Sequence, residues 1–160
     1  MRMITQVASP PRTERSYAPA ALHIRPSRHR GTRASWVLLP DPATVPKTRG
    51  RIRRQLAEWG VGEEGDVVEL LVSEVVTNAM RHSWGAVMTV SLNHGTLRCE
   101  VQDTNPALPK VCHAHDGDEG GRGMFLMEAL SKRWGSYRVP AGKVVWFETA
   151  CSARNGGDDE

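Results

Sequence analysis

The sequence predicts an α+β fold, a two-layer sandwich in which helices cover one face of a mostly antiparallel, mixed sheet. Three observations predict it. Apolar periodicity switches between helical and strand spacing in the order β-α-α-β-β-loop-α-β-β, with no internal repeat. Four of the strand-like runs fall into two neighbouring pairs around short turns, the pattern of antiparallel hairpins. The central helical stretch, Asp66 to His82, is apolar over a broad arc, as a helix packed on a sheet has to be.

Taken in order, Ala34 to Leu39 is a short apolar run that ends at Pro40, and Asp41-Pro42 supplies a turn and a helix start. In the helix that follows, Val45, Ile52, Leu56 and Trp59 recur at helical spacing, while Lys47, Arg49, Arg51, Arg53 and Arg54 take the other positions. Pro46 fits only a first turn, which places the start between Asp41 and Thr44, and Gly60 stops the helix. In the second helix Val67, Val68, Leu71, Val72, Val75, Val76 and Ala79 form the buried face. The alternating runs Val87 to Leu92 and Leu97 to Val101 flank Asn93-His94-Gly95 as a hairpin. A polar, glycine-containing stretch from Thr104 to Gly123 leads into a short helix, Met124 to Ser131. Two strands close the order, Trp134 to Val139 and Val144 to Thr149, joined through Pro140-Ala141-Gly142.

At 160 residues the chain is long enough for one sizeable core. The expected organisation is a basic, disordered extension over 1–33, an ordered domain over 34–150 and a flexible tail over 151–160. The net charge of +3 hides an asymmetry, because Arg2, Arg12, Arg15, Arg25, Arg28, Arg30 and Arg33 face only Glu14 in the first segment. With its prolines and few periodic apolar residues, that run reads as a solvated extension rather than a nucleic-acid arm. No apolar stretch has membrane-spanning length and no signal-peptide block is present, so a cytoplasmic protein without a membrane partner is expected. Cys99, Cys112 and Cys151 are odd in number and form no CxxC pair, which fits reduced thiols.

Three features carry chemistry. Glu74 and Asn78 lie one turn apart on the second helix, about 40° apart on its wheel, at the border of the apolar face. An amide oxygen there is a hard ligand suited to Mg²⁺, and a carboxylate can orient or deprotonate an attacking hydroxyl. Asp103, followed by Thr104-Asn105-Pro106, stands where a strand ends. An ionised aspartate only accepts hydrogen bonds, so at a pocket mouth it can hold the exocyclic amine of adenine. Third comes a glycine-rich loop running straight into a helix. Gly120, Gly121 and Gly123 leave backbone N–H groups open to phosphate oxygens, Arg122 adds a cation, and Met124 opens the helix whose N-terminus favours negative charge. The Walker, dinucleotide-binding and eukaryotic-type kinase signatures are all missing. Cys112, His113, His115, Asp116 and Asp118 hold metal-capable side chains, but their spacing matches no standard zinc site and a polar lid is the default.

The ordered set LLVSEVVTNAMRH, VQDTNPALP, GGRGMFLMEALSKRWG and GKVVWFE resembles the ATP-binding domain of the anti-sigma-factor serine/threonine kinases, a branch of the GHKL (histidine-kinase-like) ATPase superfamily. The likeness runs from about Trp36 to Thr149. It implies a GHKL fold and bound ATP and Mg²⁺. Asn78 would be the Mg²⁺ ligand, Glu74 the catalytic base, Asp103 the adenine contact, and Gly121 and Gly123 phosphate contacts beside a mobile lid. His82 matches a position near the nucleotide, although capping its helix is an equal alternative. Thr104-Asn105-Pro106 departs from the D-x-G-x-G of the wider superfamily and is closer to the anti-sigma branch. The function implied is a kinase that binds a sigma factor and phosphorylates an anti-anti-sigma antagonist, with a homodimer also implied. A non-catalytic ATP-binding module that regulates transcription through protein contacts is the alternative.

Overall fold

The computed structural model describes residues 32–109 and 122–152. Residues 1–31 of the arginine-rich segment and the tail beyond Ser152 lie outside the described residues, while Arg33, expected in the extension, opens the first strand. Gly120, Gly121 and the Cys112 to Asp118 group also lie outside the described residues. The elements run β1 (Arg33–Leu38), α1 (Thr44–Glu58), α2 (Glu64–His82), β2 (Ala86–Asn93), β3 (Thr96–Asp103), α3 (Arg122–Leu130), β4 (Arg133–Val139) and β5 (Gly142–Ala150). The strands form one sheet in the order β1-β2-β3-β5-β4, and every pairing is antiparallel, the limiting case of the mostly antiparallel sheet expected.

Local chemistry sets the element ends. Asp41 Oδ1 accepts the Ala43 N–H at 2.7 Å and the Thr44 hydroxyl donates to Leu39 O at 2.6 Å, so the Asp-Pro turn feeds directly into α1 with Pro46 in its first turn. At the other end Gly60 takes φ +71°, its N–H bonds to Ala57 O, and the Val61 N–H bonds to Leu56 O. That crossed pair of bonds satisfies carbonyls the helix leaves open, and it needs a residue that accepts the left-handed conformation. Between β2 and β3, His94 and Gly95 both have positive φ, the tight two-residue turn that matches strand twist. α2 begins two residues before the expected Asp66, with Glu64 and Asp66 placed favourably at its positive end.

Strand alternation sorts the sheet into two faces. Met88, Val90, Leu97, Cys99, Val101, Val145 and Phe147 point toward the helices and join Leu71, Val72, Val75, Ile52, Leu56 and Met127 in one core. α2 lies between α1 and α3 and also packs on β3 and β5, so the most apolar helix takes the most enclosed place. The opposite face is held by charge and one aromatic ring. Arg98 sits 4.3 Å from the Trp146 ring centroid and bonds both Glu100 and Glu148, while Arg133 bonds Glu148 from β4. Gly135 faces Trp146 in register, and a Cβ on it would lie 3.0 Å from the ring.

Burial is the largest single influence on the Glu148 carboxyl and pushes it up. The hydrogen bonds and charges of Arg133 and Arg98 together outweigh that push and hold it below the usual carboxylate range. A lowered folded-state value means that the stabilisation is present above the unfolded value and is lost as pH falls through the folded one. Glu148→Gln is therefore expected to lower the urea midpoint near neutral pH. Its deficit against wild type should shrink once pH drops below about 4.3.

Cys99 and Cys151 are free and buried, and burial raises both thiols, Cys151 to about 11. Thiolate is the reactive form, so neither cysteine should react with a maleimide until the domain is unfolded, as mass spectrometry of the labelled peptides would show.

Candidate functional site

Glu74, Asn78 and Asp103 lie on two elements that pack against each other, α2 and β3. α2 carries Glu74 and Asn78 on turns flanked by the buried Leu71, Val75 and Ala79, which keeps both polar side chains half-buried at the edge of the core. β3 ends at Asp103, whose register partners are Ala86 on β2 and Lys143 on β5. Alternation from Cys99 and Val101 puts the Asp103 side chain on the helix-facing side, and α2 packs on β3 there.

Asp103 is 3% exposed, yet its two oxygens are used differently. Oδ1 accepts the Asn105 N–H at 2.8 Å and a Lys143 Nζ hydrogen at 3.1 Å. Oδ2 has the Lys143 ammonium 2.9 Å away as a charge partner, but the approach is off the hydrogen-bonding direction and Oδ2 has no donor among the described residues. The Asn78 Oδ1 atom is likewise buried without a donor. Buried polar atoms are nearly always satisfied, so two oxygens without a hydrogen-bond donor among the described residues are positions at which a ligand could complete the bonding. An amide oxygen fits Mg²⁺ and a carboxylate oxygen fits an exocyclic amine. The donor set therefore fits an adenine nucleotide with its metal.

Glu74 has no hydrogen-bond or ion-pair partner among the described residues, which leaves its carboxylate free for an external hydroxyl. His82 falls in the last turn of α2, and nothing is described of its side chain. At the same helix end the Ser83 hydroxyl donates to Ala79 O at 2.5 Å. Arg122 and Gly123 form the first turn of α3, and the Met124 side chain is buried in the core, so Met124 can offer a phosphate only its backbone N–H. Gly120 and Gly121 lie outside the described residues. No group of three or more metal-capable His, Cys, Asp or Glu side chains occurs among the described residues.

Past Asp103 the chain is fastened down. The Ala107 N–H bonds Asn105 Oδ1 at 2.9 Å, Arg138 donates to Pro106 O at 3.1 Å, and the Trp84 N–H bonds Thr104 Oγ1 at 3.0 Å. Thr104-Asn105-Pro106 is thus a built turn, held from β4 and from the α2–β2 connection. Sequence reasoning gave Lys143 no role, although a signal was there: it alternates with Val145 and Phe147 and so shares their buried face.

Residues 38–149 match the family model described as histidine kinase-like ATPase domain. No curated protein matches. Among solved structures, the RsbU and RsbW domains of Rv1364c from Mycobacterium tuberculosis align with TM-score 0.59 at 20% identity, covering 74% of this chain and 32% of that one. The chain thus spans about a third of that protein's length, and at this identity the likeness shows the fold. The histidine kinase domain of the blue-light activated histidine kinase from Erythrobacter litoralis EL346 aligns with TM-score 0.45 at 24% identity, covering 66% of this chain and 60% of that one. No helix among the described residues is long and apolar enough to cross a membrane.

Proposed function

We propose that this chain, which belongs to the histidine kinase-like ATPase domain family, binds ATP with Mg²⁺ and is a protein serine/threonine kinase of the anti-sigma-factor type. The observation that carries the nucleotide reading is the pair of buried oxygens without hydrogen-bond donors among the described residues, Asn78 Oδ1 and Asp103 Oδ2. Asp103 would accept the adenine amine, Asn78 would hold the metal, and the start of α3 with Arg122, Gly123 and the Met124 N–H would receive phosphate oxygens. Bound Mg²⁺ supplies neutralisation of phosphate charge. Glu74, half-buried and without a partner among the described residues, would align the acceptor hydroxyl and take its proton as the oxygen bonds to the γ-phosphorus and ADP leaves.

Support for the anti-sigma branch is narrower. It comes from the motif set in the sequence and from the Asp103-Thr104-Asn105-Pro106 turn being a built feature. By that reading the partners are a sigma factor and an anti-anti-sigma protein, and the site of action is the cytoplasm. The test is incubation of the full chain with γ-labelled ATP, Mg²⁺ and candidate anti-anti-sigma proteins. Label transferred to a serine or threonine of one candidate is the expected result. A stable complex with the antagonist and no transfer contradicts the kinase assignment.

A further inference from the structure

Resting on that ATP reading, we infer that Lys143 is a specificity-determining residue, whose ammonium makes Asp103 a selector of 6-amino over 6-oxo purines. Lys143 is 2% exposed, among the largest fully buried side chains described, and faces Asp103 directly across the β3–β5 pair. A lysine is seldom buried unless paired, and here the pairing is with Asp103, whose Oδ2 lies 2.9 Å from the ammonium without a hydrogen-bond donor among the described residues.

The geometry divides the carboxylate. Lys143 Nζ donates to Asp103 Oδ1 at 3.1 Å and to Asn105 O at 3.3 Å, and the Asn105 N–H returns to the same Oδ1 at 2.8 Å. Oδ1 thereby holds two donors, and Oδ2, with the same ammonium 2.9 Å away as a charge partner but no hydrogen-bond donor among the described residues, is the acceptor left for a ligand. A further charge comes from β4, where Arg138 is the register partner of Lys143 and spends its Nε on Pro106 O. Oδ2 held as a bare acceptor rewards an N–H donor and penalises a carbonyl oxygen, which would face it lone pair to lone pair. ATP presents an amine at purine position 6 and an acceptor at N1, whereas ITP presents an oxygen at position 6 and an N–H at N1, so the selection falls on an Oδ2 that meets position 6.

Without the ammonium, Oδ1 loses one of its two donors and the carboxylate is no longer held in the orientation that sets Oδ2 against position 6. Lys143 would thus act through Asp103 rather than on the nucleotide, as a positioning residue. A merely structural lysine would weaken both nucleotides alike.

The test is competition binding of ATP and ITP with Mg²⁺ to the full chain, for wild type, Lys143→Met and the double variant Asp103→Asn/Lys143→Met. The double variant removes both charges together and so remains informative where Lys143→Met fails to fold. A site built around one polar contact discriminates strongly, so wild type should prefer ATP by on the order of 10²-fold or more. That preference should collapse to within about tenfold in Lys143→Met and in the double variant, where the introduced amide can either donate or accept. Wild-type discrimination retained in the folded variants overturns the role of Lys143 and leaves the ATP site standing. A wild type that binds neither nucleotide overturns both.

Discussion

Glu74→Gln should lower phosphotransfer to the protein acceptor by about 10²–10⁴-fold, the usual contribution of a positioned general base. ATP binding should stay close to wild type. Glu74 is half-buried on α2, one turn before Asn78, and no described residue competes for its carboxylate. The amide of glutamine keeps the shape and one acceptor but cannot take a proton, so chemistry is lost and the nucleotide contacts are not. Single-turnover phosphotransfer measured beside ATP titration separates the two quantities. Equal loss of both would show that Glu74 holds the nucleotide rather than the acceptor hydroxyl.

Gly142→Ala is expected to be the most damaging substitution outside the core. Gly142 opens β5 with φ +154°, and an added Cβ would sit 1.9 Å from Asp103 O and 2.7 Å from the Thr104 carbonyl carbon. Those are backbone atoms, so no side chain can swing away. Either β5 parts from β3 at Asp103 or the turn carrying Asn105 moves, and both break the Lys143 contacts. A loss of about 3 kcal/mol or more in urea unfolding is expected, with nucleotide binding abolished in whatever remains folded. An alanine variant that melts like wild type would show that β5 adapts here, contrary to the packing described.

The fold was largely legible because the strongest sequence signals coincide with the strongest structural constraints. Helical periodicity in 66–82 reflects a helix enclosed by α1, α3 and the sheet, and the His94-Gly95 turn dictates its hairpin by backbone conformation alone. Element ends were less legible, since the start of α2 at Glu64 rests on backbone turns from Gly62 and Glu63 that leave no apolar pattern. In the candidate site, Glu74, Asn78 and Asp103 could be picked out because helix spacing and a strand end place them. Lys143 escaped notice because its role depends on register between β3 and β5, which strands separated by about forty residues do not reveal in sequence. The basic face of α1 shows the same limit. Arg53 pairs with Glu69 and Arg49 donates to Ser73 on α2, so part of that charge is internal stitching, while Lys47, Arg51 and Arg54 remain exposed.

Calorimetric titration of ATP into the full chain, with and without Mg²⁺, tests the central claim most directly when wild type is compared with Asn78→Ala and Asp103→Asn. Both variants keep the apolar packing, and in Asp103→Asn the amide oxygen of the new side chain can still accept from Lys143, so circular dichroism should match wild type. One site per chain that tightens with Mg²⁺, loses that dependence in Asn78→Ala and loses ATP affinity in Asp103→Asn is the predicted result. ATP binding of wild-type strength in both folded variants, or none in wild type, would contradict it.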